Sequence, residues 1–190
     1  NTGRALSEAE KNTYGLVSFP FAVDGVAVAV NPKNPVNELS SEQIKKIFAG
    51  AITNWKDVGG SDGAIHVFGR DEASGTREVF WEKLLGKGDV AQGINIVPSN
   101  GAMKVAIAGD PQAIGYLGIG HISADIKAIV IDKVKPTQEN AKTGAYKVVR
   151  NLYMNTKGQP APLEEAFIDY IRGPEGAEII KKHGYIPITK

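Results

Sequence analysis

Ile65-His66-Val67-Phe68-Gly69-Arg70-Asp71-Glu72-Ala73-Ser74-Gly75-Thr76 is the stretch on which the reading of the fold turns. Ile65 to Phe68 is a short apolar run that predicts a strand ending at Gly69-Arg70, and Arg70 to Thr76 is a polar loop. From Thr76 onward, Val79, Phe80, Trp81, Leu84 and Leu85 recur at helical spacing until Gly86. A strand that turns through a polar loop into a helix is the repeating step of an α/β protein.

The same alternation extends on both sides. Phe21 to Val30, with Val23, Val26, Val28 and Val30 and a stop at Asn31-Pro32, predicts a strand buried on much of both faces. Ser40 and Gln43 form a capping-box pattern before the stripe of Ile44, Ile47 and Phe48, which Gly50 closes. A helix is expected over Asn100 to Ala108, halted by Gly109-Asp110-Pro111, and a buried strand over Ala113 to Gly118. Ile126 to Ile131 and Tyr146 to Leu152 are further strand candidates. Two helices close the chain, Leu163 to Ile171 and Pro174 to Lys182, with Gly184 as a left-handed cap. The helical spacing of Phe48, Trp55, Phe80 and Trp81 assigns these aromatic residues to core packing rather than to a stacking box.

Composition narrows the function classes. The chain has 190 residues, 42% hydrophobic and 23% charged, which is the composition of an ordinary globular protein. A formal net charge of +1 lacks the basic surplus of a nucleic-acid binder, so no nucleic-acid partner is expected. Absence of cysteine removes disulfides, thiolate metal sites and cysteine nucleophiles. His66, His121 and His183 are scattered without metal-pair spacing, so neither a metal nor a cofactor is expected. No run reaches about 18 apolar residues, and Asn1-Thr2-Gly3-Arg4 carries no signal segment, which predicts a soluble or already processed chain.

The loop is an anion cradle in outline. Ser74, Gly75 and Thr76 open a helix, whose first N–H groups lack helical acceptors and whose dipole favours negative charge. Gly75 permits close backbone approach, the hydroxyls of Ser74 and Thr76 add donors, and Arg70 supplies a two-pronged cation. A tetrahedral oxyanion satisfies this set; simple helix capping by Ser74 or Thr76 is the plainer alternative. Monohydrogen phosphate carries a proton that sulfate lacks, so a carboxylate acceptor, Asp71 or Glu72, favours phosphate. Either acid can instead orient Arg70 or Arg77, and that role suits Glu72 better. Catalysis by Ser74 is not expected, because Glu72 and Thr76 stand where a nucleophile elbow needs glycines.

Arg70-x-x-x-Ser74-Gly75-Thr76 in this setting resembles the anion loop of the phosphate-binding proteins of phosphate ABC transporters. The likeness covers almost the whole chain: Asp24-Gly25-Val26-Ala27-Val28-Ala29-Val30-Asn31, Leu39-Ser40 through Ala49-Gly50, Ile52-Thr53-Asn54-Trp55, Ala113-Ile114-Gly115-Tyr116 and Gly184-Tyr185-Ile186-Pro187. It implies an α/β, type II periplasmic-binding-protein-like fold, with two lobes joined by two crossover strands and a phosphate held between them on closure. Val23 to Val30 is expected to enter the second lobe (24–118) and Ile114 to Leu117 to leave it. The first lobe (1–23 and 119–190) is expected to be incomplete, since the family's own first-lobe Gly/Ser/Thr loops have no counterpart.

The resemblance also implies inorganic phosphate as ligand, membrane subunits of an ABC transporter as partners, and an extracytoplasmic location, periplasmic or lipid-anchored. Phosphate binding is assigned to Arg70, Ser74, Gly75 and Thr76, and the acceptor or Arg-orienting role to Asp71, Glu72 or Asp24. Some family members carry an aspartate where this chain has Arg4, which is the candidate first-lobe contact. An incomplete lobe exposes a sheet edge and an apolar face, so self-association, a second chain or a rearranged lobe is expected. A sensor or interaction module that keeps the fold without delivering cargo is the alternative function.

Overall fold

The computed structural model describes residues 6–189, and the candidate contact Arg4 lies outside them. In chain order the elements are α1 (Glu8–Tyr14), β1 (Leu16–Val30), β2 (Glu38–Leu39), α2 (Ser41–Phe48), a single turn at Trp55–Val58, β3 (His66–Gly69) and α3 (Gly75–Val79). A wider helical turn, Phe80–Leu84, continues α3, and then come β4 (Asn95–Ile96), α4 (Asn100–Gly109), β5 (Ala113–Gly118), β6 (Lys127–Ala128) and β7 (Val130–Ile131). The last elements are α5 (Gln138–Lys142), β8 (Val149–Lys157), α6 (Pro162–Arg172), α7 (Pro174–Lys182) and β9 (Ile186–Pro187). They divide into two compact units: residues up to Asp24 with those from Arg150 onward, and Gly25–Val149. β1 and β8 each run from one unit into the other.

The Gly25–Val149 unit is built on a sheet of order β4-β3-β5-β1-β6. β1 lies antiparallel to β5, with Val26 opposite Gly118 and Val30 opposite Ile114, and β3 runs parallel to both β5 and β4. Strand alternation sends Val26, Val28 and Val30 into a cluster with Ile44, Ile47 and Phe48 of α2 and Phe80. The opposite face carries Ala29 against Met103 and Ile107 of α4. α4 approaches so closely that a Cβ on Gly115 would run into the Met103 sulfur. Burying each valine is worth about 1.5–3 kcal/mol, so this central strand anchors the unit. Ser40 caps α2 as expected: its hydroxyl accepts from the Gln43 N–H at 3.1 Å, and Gln43 Oε1 accepts from the Ser40 N–H at 2.9 Å.

The compact unit that begins at Gly25 ends at Val149 rather than at the expected residue 118. Residues 119–149 belong with Gly25–Val149 because β6 pairs with β1 at Ala29 and Ala128, and β7 pairs with β2 at Leu39 and Ile131. Tyr146 is fully buried in the same core and donates its hydroxyl to Val26 O at 2.7 Å, so it is a core residue outside the strand, and β8 begins at Val149. The strand leaving this unit is therefore β8, not Ile114 to Leu117.

The other unit takes the first half of β1, flanked by β8 and by β9 at Ala22–Pro187 and Val23–Ile186. Asp24 and Arg150 form a buried ion pair in it, with Arg150 Nε and Nη2 both donating to Asp24 Oδ2 at 3.1 and 3.0 Å. α6 and α7 each start with proline at the first helical position, where the missing N–H costs nothing. Gly176 lies against the Ile171 carbonyl, a contact that leaves no room for a side chain. α6 keeps Leu163 and Phe167 83% and 58% exposed. No helix among the described residues is long and apolar enough to cross a membrane.

Candidate functional site

β3 ends at Gly69, and the chain turns into α3 through the five residues Arg70 to Ser74, fixed by local hydrogen bonds. The Asp71 carboxylate accepts from the Ala73 N–H at 3.0 Å, and the Asp71 carbonyl accepts from the Ser74 N–H at 3.2 Å. This is the side-chain turn that aspartate forms with the amide two residues on. It commits one Asp71 oxygen to the loop and delivers Ser74 to the N-cap, where its Oγ accepts from the Arg77 N–H at 3.3 Å. Capping and ligand binding are compatible: an N-cap serine uses its oxygen as acceptor and keeps its O–H as a donor. Ser74 and Thr76 are 7% and 6% exposed. The N–H groups of Gly75 and Thr76 occupy the first two helical positions, where helix geometry supplies no acceptor.

Arg70 is held from a different part of the unit. Its Nη2 donates to Pro98 O at 3.0 Å and its Nη1 to Asn100 Oδ1 at 3.3 Å, immediately before and inside the first turn of α4. Its Nε is buried and has no hydrogen-bond partner among the described residues. The first turn of α4 contains no acid, and the acid in the first turn of α3 is Glu78. Arg70 and the positive ends of two helices thus gather on one loop, and the dipole of each helix adds to the guanidinium charge. Glu72 is 93% exposed on its side chain and lies 3.9 Å from Arg77, not on Arg70. Asp24 pairs with Arg150 inside the other unit.

A family model described as the PBP superfamily domain matches residues 1–175. The chain belongs to the PBP superfamily. Within the superfamily it is 40% identical to the phosphate-binding protein PstS of Bacillus subtilis over 176 residues, which is 92% of this chain and 58% of that relative. Identity to the Pseudomonas aeruginosa phosphate-binding protein PstS is 30% over 201 residues, covering 94% of this chain and 62% of that relative. The chain therefore spans about three fifths of the length of these curated relatives. A Clostridium perfringens protein solved with bound phosphate superposes with a TM-score of 0.88 at 34% identity, over 98% of this chain and 77% of the other. An ABC-type phosphate transport receptor from Vibrio cholerae gives 0.84 at 36% identity, over 97% and 78%.

Three residues of this PBP-superfamily chain that sequence reading left unassigned shape the loop. Pro98 and Asn100 hold the guanidinium, and Tyr116 on β5 accepts the Arg70 N–H at 3.0 Å. The Tyr116 ring stacks on Phe80 with centroids 4.0 Å apart and planes 9° from parallel. The first residue of the loop and the residue that ends α3 are thereby tied to one side chain. Burial pushes the Tyr116 hydroxyl above the ordinary tyrosine range, offset in part by the Arg70 N–H, so it stays protonated.

Proposed function

We propose that this chain binds inorganic phosphate at the Arg70–Thr76 loop and serves as the extracytoplasmic solute-binding component of a phosphate ABC transporter, performing no chemistry on the ligand. The observation that carries the reading is the buried Arg70 Nε–H, which has no acceptor among the described residues, on the same loop as the open N–H groups of Gly75 and Thr76. A buried cationic donor without an acceptor is costly, and an oxyanion relieves that cost. Arg70, Ser74, Gly75 and Thr76 are the phosphate ligands in this reading. The second Asp71 oxygen or the exposed Glu72 carboxylate accepts the phosphate proton, while Asp24 is committed to Arg150.

The relatives named as phosphate-binding proteins and the phosphate-bound Clostridium perfringens structure support the ligand. The Vibrio cholerae receptor's description as ABC-type supports delivery to transporter membrane subunits. Association with a second chain through the exposed Leu163 and Phe167 is proposed with it. Equilibrium dialysis of radiolabelled phosphate against competing sulfate tests the ligand: phosphate is retained and excess sulfate fails to displace it, whereas equal displacement overturns selectivity. Light scattering tests association, which a monomer at all concentrations overturns.

A further inference from the structure

A second concave site lies elsewhere in the Gly25–Val149 unit. It is a pocket of about 240 Å³ walled by Leu84, Ile131 and Val148, with Lys45, Lys83 and Lys147 also lining it. The three apolar residues are almost fully buried, whereas Lys83 and Lys147 are exposed. Lys45 is satisfied by Glu42 at 2.6 Å, but Lys83 and Lys147 have no ion-pair partner among the described residues. The one acid in the lining, Asp132, keeps its charge but is held at the start of α2, where its Oδ1 accepts the Ser41 N–H at 3.0 Å, and the three lysines of the lining outnumber it. A tight two-residue turn holds it there, with Asp132 and Lys133 at φ 47° and 68° and two backbone bonds between Ile131 and Val134 at 2.8 and 3.0 Å.

The volume falls below the roughly 300–1,000 Å³ typical of small-molecule sites, and it suits a single large side chain. Flexible lysines around an apolar floor, in a chain whose net charge is only +1, set up a local positive field. Such a rim attracts carboxylates over distance without holding them bidentately. We propose that this pocket docks an acidic segment of a partner protein, which buries one large apolar side chain among Leu84, Ile131 and Val148 and sets carboxylates against Lys83 and Lys147. The site is separate from the Arg70 loop and independent of phosphate.

The probe is a fluorescently labelled Glu-Glu-Phe-Glu-Glu peptide, followed by anisotropy with the full chain. Saturable binding is expected, weakened about tenfold by the double variant Lys83→Glu with Lys147→Glu and weakened by added salt. A peptide with alanine in place of phenylalanine binds more weakly, and Arg70→Ala leaves the binding unchanged. Both lysines are exposed, so the double variant is expected to keep the wild-type circular dichroism spectrum. No binding, equal affinity in the double variant, or equal binding of the alanine peptide overturns the proposal. So does capture by phosphatidylglycerol vesicles without capture of the peptide, which would make the surface a lipid site.

Discussion

Arg70, one residue past the end of β3, and Tyr116, on the neighbouring strand β5, are joined by a hydrogen bond from the Arg70 backbone N–H to the Tyr116 phenol oxygen at 3.0 Å. The ring of the same tyrosine also stacks on Phe80, at the C-terminal end of α3. The loop entrance and the far end of α3 are thus registered against β5, and the cradle's geometry depends on a residue that contributes none of its charge. Tyr116→Phe preserves the stacking and removes the acceptor. A lost hydrogen bond of about 0.5–1.5 kcal/mol corresponds to roughly 2–10-fold weaker phosphate binding with the fold intact, which calorimetry at matched melting temperature checks.

Arg70→Ala removes the permanent charge and every guanidinium donor. Charge-assisted bonds are worth about 1.5–3 kcal/mol each, so phosphate affinity is expected to fall at least about a hundredfold. The far-ultraviolet circular dichroism spectrum stays that of the wild type, because among the described residues the Arg70 side chain bonds only Pro98 O and Asn100 Oδ1, and the backbone bond to Tyr116 is kept. Arg70→Lys recovers charge without the fork and restores only part of the affinity.

Ser74→Ala separates capping from binding. Loss of the bond to the Arg77 N–H costs about 1 kcal/mol of stability, read from urea denaturation. Phosphate affinity falls as well, through the lost O–H donor. A drop in stability with unchanged affinity would reduce Ser74 to a cap.

Breaking the Asp24–Arg150 pair tests the other unit. The side chains of Arg150 and Asp24 are 16% and 6% exposed, so Arg150→Met takes from a buried carboxylate the guanidinium that donates to it twice. A loss of about 3 kcal/mol is expected in urea denaturation.

Alkaline pH acts through the buried tyrosines. Burial raises the hydroxyls of Tyr146, Tyr116 and Tyr185 above the ordinary value of 10.0. A raised folded-state value means that the stability these groups contribute is complete below pH about 10 and is lost as pH climbs through their folded values. Denaturation midpoints are expected to hold steady from pH 7 to 9 and to fall above 10. In Tyr146→Phe the fall above that point is smaller, although the variant starts lower because Val26 O loses its donor.

Much of this was legible where the signal is local. Ser40 with Gln43 is a three-residue pattern, and the valines of Phe21 to Val30 announce a strand buried on both faces. The run from Val67 through Thr76 showed both the turn and its donors. Long-range partners were not legible. Pro98 and Asn100 lie 28 and 30 residues from Arg70, and nothing in their types marks them as guanidinium acceptors. Tyr116 read only as part of a buried strand. The unit boundary was misplaced because β6 and β7 are two residues each, too short to show alternation, although they tie residues 119–149 to β1 and β2. Glu72 reads as the acid that orients Arg70 or Arg77, and it lies 3.9 Å from Arg77; sequence alone left open which of the two arginines it faces, and the turn built on Asp71 keeps its carboxylate in solvent.

The most direct measurement is isothermal titration of phosphate, then sulfate, into the chain after bound anions have been removed by unfolding and refolding, with Arg70→Ala run in parallel. Saturable heat with phosphate, little with sulfate and none in Arg70→Ala is the predicted result. Absence of phosphate heat from the folded wild-type chain, or equal heat in Arg70→Ala, would contradict the assignment of the Arg70–Thr76 loop as a phosphate site.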